Sequence, residues 1–167
     1  MKVSLDAIKA LREKTSASLN DVRAALASAN GDEKKALELL RQRGAQIAEK
    51  RQGRATGQGR VETYLHHDGR LAALVEVNCE TDFVARTPEF IQFCRDLAMQ
   101  VAAMSPHCVR PEDVPTGGDP AALSLLQQPF VKDPSLTITS LLTALIAKTG
   151  ENVVVRRFVR FALGESV

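Results

Sequence analysis

A chain of 167 residues, 44% hydrophobic and 25% charged, has material for one sizeable core or two small ones, and its net charge of +2 is too small to mark nucleic acid or an anionic membrane as the main partner. Tryptophan is absent and Tyr64 is the only tyrosine, so stacking of single-stranded bases has a thin aromatic supply. No run of about eighteen apolar residues offers a membrane span. The start Met1-Lys2-Val3-Ser4-Leu5-Asp6 lacks an apolar signal core, and three cysteines (Cys79, Cys94, Cys108) are odd in number and not spaced for zinc, so free thiols in a reducing cytoplasm are expected.

Residues 1–45 carry three short helical patterns. Ser4 is placed to cap the first, whose Leu5, Ile8 and Leu11 share a face, and Thr15-Ser16-Ala17-Ser18 breaks it. Ser18 with Asp21 makes a capping-box-like start to the second, where Leu19, Val22, Leu26 and Ala29 fall on one side. Asn30-Gly31 ends it, since both residues tolerate the left-handed turn. Asp32 caps the third, which buries Ala36, Leu37 and Leu40 and is expected to stop at Gly44. From Ala45 to Arg60 the composition shifts: Ile47 is the only large apolar residue, Gly53, Gly57 and Gly59 accumulate, and Lys50, Arg51, Arg54 and Arg60 make the segment basic. This reads as a helical extension dissolving into a solvated linker, with a boundary near residue 55; the positive charges are too few for a nucleic-acid-binding arm.

Val61–Leu65 and Leu71–Val77 read as strands joined by His67-Asp68-Gly69, a tight-hairpin signal, with Leu71, Ala73, Val75 and Val77 on one face of the second. His66 and His67 beside the turn lack further partners spaced for a metal site. Asn78 to Thr87 is then a strand-to-helix connection, the kind of surface segment that commonly carries function. It holds Asp82 followed by Phe83, and two readings of that phenylalanine stand open: it folds back onto the core, or it is presented to a partner as an interface anchor. Pro88 opens a helical pattern to Met104 with Phe90, Phe93, Leu97 and Val101 on its apolar side. Ser105 to Pro120 is loop-like, with Pro106, Pro111, Pro115 and Gly117-Gly118, and a short extended piece falls near His107 to Arg110. Leu123 to Val131 reads as a short helix or turn ending before Pro129, and Ile138, Leu141, Leu142, Leu145 and Ile146 as a helix that starts near Thr137 or Thr139 and ends at Gly150. Val153 to Leu163 is a long strand. Its apolar parity of Val153, Val155, Val159, Phe161 and Leu163 is broken by Arg157, which points to a bulge or to an arginine facing a sheet edge or partner.

Separated stretches, in order, resemble the bacterial elongation factor Ts family, the nucleotide-exchange factors of elongation factor Tu. Leu11-Arg-Glu-Lys-Thr-Ser-Ala-Ser-Leu-Asn-Asp-Val-Arg-Ala-Ala-Leu26 is similar to the family's N-terminal signature, departing where Ser16 and Ser18 stand at positions expected to be glycine. Val75-Glu-Val-Asn-Cys-Glu-Thr-Asp-Phe-Val-Ala-Arg86 is similar to the core signature without a visible departure, and Gln128-Pro-Phe-Val-Lys-Asp-Pro134 and Ala147-Lys-Thr-Gly-Glu-Asn-Val-Val-Val-Arg-Arg-Phe158 fit the C-terminal half. The resemblance implies an α+β fold. A ubiquitin-associated-like (UBA-like) three-helix domain over residues 1–45 and a helical extension and basic linker over 46–60 lead to an α+β core over 61–167. The resemblance implies that this core, a small antiparallel β-sheet packed against helices, is the domain for dimerisation and GTPase binding.

It further implies a cytoplasmic guanine-nucleotide exchange factor of translation elongation, not an enzyme, with no cofactor and no metal of its own. The implied partner is elongation factor Tu, GDP-bound and nucleotide-free, with no direct nucleic acid and no membrane. Thr81, Asp82, Phe83 and Val84 would disturb the Mg2+/phosphate site of that GTPase, Phe83 as an apolar wedge and Asp82 as an intruding carboxylate. Leu11 and Leu19 would belong to the helical face that docks on it. Longer members carry two core subdomains; the single Thr81-Asp82-Phe83 here leaves room for one, which implies a homodimer. Two other classes compete. One is a non-catalytic adaptor binding peptide or ubiquitin-like partners through the helical domain. The other is an enzyme with Cys79 as nucleophile and His66 or His67 as base, for which no third orienting group is evident.

Overall fold

A computed structural model describes residues 4–15 and 17–165; Met1–Val3 and Ser16, the last a departure from the expected glycine, lie outside the described residues. The chain gathers into two compact units, Met1–Gly53 with Thr143–Glu151, and Arg54–Leu142 with Asn152–Val167.

In the first unit, α1 (Leu5–Thr15), α2 (Leu19–Ser28) and α3 (Glu33–Arg51) begin on side-chain caps. The Ser4 hydroxyl accepts from Ala7 N, that of Ser18 from Asp21 N, and the Asp32 carboxylate from Lys34 N and Lys35 N. Asn30 and Gly31 both take positive φ to close α2, and Gly31 N donates to Leu26 O. The core of these helices is Ile8, Leu11, Val22, Ala25, Leu26, Ala29, Ala36 and Leu40. Leu5 and Leu19, expected on the buried faces, are exposed; each is the first residue of its helix, ahead of the turns that meet the neighbouring helices. Nor does α3 stop at Gly44. That glycine is buried in mid-helix, where an added Cβ would lie 3.6 Å from Thr143 Cγ2 and 3.7 Å from Ala147 Cβ. Packing on that side outweighs glycine's helix penalty of about 1 kcal/mol, and α3 continues to Arg51.

The second unit is built on a three-stranded antiparallel sheet of order β1-β2-β5, formed by β1 (Gln58–Leu65), β2 (Leu71–Cys79) and the terminal strand β5 (Val153–Ala162). The hairpin turn closes as expected, with His66 N donating to Leu71 O, Gly69 N to His66 O, and Gly69 at φ +69°. One face is covered by α5 (Pro88–Met104). Ala73, Val75, Val77 and Cys79 of β2 and Val153 and Val155 of β5 are buried, as are Phe90, Phe93, Cys94, Leu97 and Val101 of α5. Burial pushes the Cys94 thiol up to about 12, with the Glu62 carboxylate adding to the effect, so it is a neutral core group.

The break in apolar parity at Arg157 is a bulge. Glu76 pairs with Arg157 but Val77 pairs with Val155, leaving Arg156 as the extra residue. Both arginines reach Glu76, Arg157 Nε at 2.7 Å and Arg156 Nε at 3.6 Å. The hydrogen bond from Arg157 holds the Glu76 carboxyl below its usual range. The extra residue flips every later side chain to the other face. Phe158, Arg160 and Ala162 are therefore partly covered, with Arg160 Nε donating to Ala102 O of α5, whereas Val159, Phe161 and Leu163 are exposed.

Between α5 and β5 lie a short 3-10 turn (Pro111–Asp113), α6 (Pro120–Leu123), α7 (Ile138–Thr149) and a hairpin that the sequence pattern does not signal, β3 (Pro129–Phe130) with β4 (Asp133–Thr137). Two fully buried glutamines tie this region to α5. Gln100 Nε2 donates to Gln128 Oε1 and Pro129 O while Gln100 Oε1 accepts from Val131 N, and Gln128 Nε2 donates to Ala122 O and Met104 O. Each buried amide is thus satisfied, as burial requires. The expected piece near His107 to Arg110 is a parallel bridge from Cys108 to Ser124.

Gly59, opposite Asn78 at the start of the sheet, has φ +152°, and a Cβ there would sit 2.3 Å from Val77 O and 2.7 Å from Asn78 Cα. Backbone atoms cannot give way as a flexible side chain does. Gly59→Ala is therefore expected to destabilise the protein by about 2 kcal/mol or more in urea unfolding; an alanine variant as stable as the parent would contradict this geometry.

Candidate functional site

The connection after β2 contains a helix of only four residues, α4 (Asp82–Ala85). Nothing so short holds itself, because helix nucleation is unfavourable until several hydrogen bonds have formed. It is held from both ends. Thr81, extended at φ −124° and ψ 154°, accepts Val84 N on its hydroxyl at 3.4 Å. Upstream, the Cys79 thiol donates to Thr81 O at 3.1 Å. Downstream, the Thr87 hydroxyl donates to Val84 O at 2.8 Å and accepts Phe90 N at 3.3 Å, capping α5 as it closes α4.

Val84 and Ala85 are buried, so one side of α4 is fixed in the core. Phe83 is left on the other side with 81% of its surface exposed, and the reading that it folds back onto the core does not hold. Beside it the Asp82 carboxylate lies 3.1 Å from the Arg86 guanidinium, the arginine largely and the aspartate about half in solvent. An exposed pair at this i, i+4 spacing is worth roughly 0.3–0.5 kcal/mol, so a partner competing for either charge separates them at little cost. The face therefore offers an apolar ring flanked by one acid and one base. Burying such a ring contributes about 1.5–3 kcal/mol.

The family model described as Elongation factor TS matches residues 4–117, which contain this whole segment. The chain belongs to the elongation factor Ts family. The elongation factor Ts of Carboxydothermus hydrogenoformans is 46% identical, over 96% of this chain and 88% of its own length. That of Rubrobacter xylanophilus is 45% identical, over 98% and 100%, and that of Solidesulfovibrio magneticus 42%, over 98% of both. The α+β fold with its small antiparallel sheet is that of an elongation factor Ts family member, and the chain's role lies in translation elongation.

The residues expected to act are not all placed alike. Asp82 and Phe83 share the exposed side of α4, whereas Thr81 serves as its cap and Val84 as its buried anchor. Leu19 is 53% exposed and available for docking. Leu11 is 1% exposed, in the helical core with residues of α2 and α3. Cys79 is wholly buried and committed to the Thr81 carbonyl, which is no place for an accessible nucleophile. His66 Nδ1 meets the Tyr64 hydroxyl at 3.0 Å and its ring packs 4.3 Å from that of His67. Among the described residues no group of His, Cys, Asp or Glu is arranged to hold a metal, and no helix is long and apolar enough to cross a membrane. Sequence reading passed over Arg86, which carries a helical-spacing signal to Asp82, and Glu80, whose partners Arg54 and Asn152 lie far away in sequence.

Proposed function

We propose that the chain is a guanine-nucleotide exchange factor acting in the cytoplasm on elongation factor Tu, with Phe83 as the side chain that enters the GTPase and Asp82 as the charge that disturbs its Mg2+/phosphate site. The observation that carries this is a phenylalanine held 81% exposed on a helix whose next two residues are buried. Such a factor needs no covalent chemistry. A translational GTPase grips its nucleotide through a phosphate loop and Mg2+, and a protein that binds the nucleotide-free form better than the loaded form weakens that grip by the same factor, by linkage. Family membership and the Val75–Arg86 match support the reading. Phe83→Ala should leave the melting temperature of the free protein unchanged and slow catalysed GDP release at limiting concentration by more than about tenfold. A variant that melts several degrees lower, with its folded fraction releasing GDP normally, would sink the assignment.

The first unit, taken as the UBA-like domain, is proposed to raise affinity by docking through Leu19 rather than Leu11. Because Leu19 is exposed in the free protein, Leu19→Asp should leave folding intact and raise the concentration for half-maximal exchange about tenfold, with the maximal rate preserved. Should half-maximal exchange stay at the parent concentration, Leu19 has no docking role. The adaptor reading instead requires binding of the GTPase without any change in nucleotide release.

We also propose a homodimer. The support is the sheet face opposite α5, where Val61, Leu65, Leu74, Val159, Phe161 and Leu163 are all exposed. In register, Leu74 lies between Thr63 and Val159, and Ala72 between Leu65 and Phe161, so these side chains form one surface rather than scattered points. A one-layer sheet with a bare apolar face is complete when a second layer covers it. A second copy offers the same face through a two-fold axis, with Glu76 and its two arginines bringing both signs of charge. The outer face, not the edge of β5, is the better candidate. The parent should sediment at micromolar concentration as a dimer of the 18.1 kDa chain, and Phe161→Asp as the 18.1 kDa species alone. A parent that is monomeric under reducing conditions would refute this.

A further inference from the structure

Glu80 precedes the cap of α4 and follows the last residue of β2. Its Oε1 accepts the backbone N–H of Asn152 at 2.7 Å, and its Oε2 lies 3.6 Å from Nη1 of Arg54. Asn152 closes the third side, donating from Nδ2 to Arg54 O at 2.8 Å. Asn152 is buried and the Glu80 side chain is 22% exposed, so the bond between them is largely shielded from water, whereas the Arg54 side chain is about half exposed. Three backbone segments meet there: the exit of β2, the residue that opens the second unit, and the residue before β5.

The position of the contact gives it a purpose. Cys79 pairs with Val153 as the last rung between β2 and β5, and Glu80 and Asn152 stand where the next rung would fall. There the Glu80 carboxylate takes up the Asn152 N–H, so a side chain extends the tie between the strands while the main chain turns away towards Thr81. We propose that Glu80 is a positioning residue for nucleotide exchange: by holding the exit of β2 to Asn152 and Arg54, it sets Thr81 where it caps α4 with Phe83 outward. This rests on the reading of Phe83 as the side chain that enters the GTPase. A presented side chain is effective when its support is ordered before binding, because ordering then costs nothing on association. With the carboxylate gone, the segment from Thr81 to Arg86 has to be ordered by the partner. Glu80 thus acts through Phe83.

Two measurements on Glu80→Ala, Glu80→Gln, Phe83→Ala and the double variant Glu80→Ala/Phe83→Ala test this. The first is backbone amide hydrogen exchange of the full chain alone. Glu80→Ala should speed exchange at Val84 and Ala85 by about tenfold while the amides of β2 stay protected; unchanged protection at Val84 and Ala85 overturns the proposal whether or not the chain acts on elongation factor Tu. The second is GDP release from elongation factor Tu, normalised to folded protein. Glu80→Ala should slow it about tenfold, yet by less than about twofold when Phe83 is already alanine, because residues acting as a unit are not additive. Glu80→Gln, which keeps an oxygen for the Asn152 N–H, should retain most of the activity. Losses that multiply in the double variant, or a glutamine variant as slow as alanine, overturn it. If the parent itself fails to release GDP, the exchange reading falls, and the amide measurement still decides the positioning role.

Discussion

A four-residue helix that exposes a phenylalanine depends on burying the two residues that follow it. Val84 and Ala85 are in the core and Phe83 is out, and the hydrophobic effect alone would favour burying the larger side chain instead. Local hydrogen bonding prevents that exchange. Thr81 and Thr87 fix both ends of α4, the Cys79 thiol holds the Thr81 carbonyl, and α5 begins immediately on the Thr87 cap. Rotating Phe83 inward would break these bonds and remove Val84 from the core. The exposed ring is therefore a consequence of strongly held neighbours.

The same division between a fixed side and an offered side recurs in the sheet. Its inner face is closed by α5, and the bulge at Arg156 turns the second half of β5 so that Val159, Phe161 and Leu163 leave the core. Without the extra residue those three would continue the inward row begun by Val153 and Val155, and Arg160 would face solvent. The bulge costs one ladder position. In return, two arginines converge on Glu76 and an apolar surface forms on the far side of the sheet.

Sequence reading was strongest where one local rule sufficed. Pro88 to Met104 has a proline at its first turn, a threonine cap and an uninterrupted apolar stripe, and its helix has those bounds. The Asp68-Gly69 turn and the Arg157 interruption were legible for similar reasons. Gly44 misled because its side is packed in mid-helix, so tertiary contact overrides a local breaker. Leu5 and Leu19 misled because periodicity assigns a face but not the turn at which helices begin to touch. The hairpin of β3 and β4 was hidden since β3 is only two residues long, too short to show a period, and β4 carries a proline and a single large apolar residue; its order comes from Gln100 and Gln128, 28 residues apart. In the candidate site, the motif and the exposure question around Phe83 were readable. The support from Glu80, Arg54 and Asn152 was not, because its hydrogen bonds span 72 and 98 residues.

The central claim is that this chain favours a GTPase without its nucleotide, through a side chain presented before the partner arrives. It is tested most directly by measuring the affinity of the chain for elongation factor Tu in its nucleotide-free and GDP-bound forms under the same conditions. The account predicts tighter binding to the nucleotide-free form, by the same factor by which the chain weakens GDP binding, as linkage requires. Equal affinity for the two forms would contradict it, since a ligand that binds both states alike shifts neither.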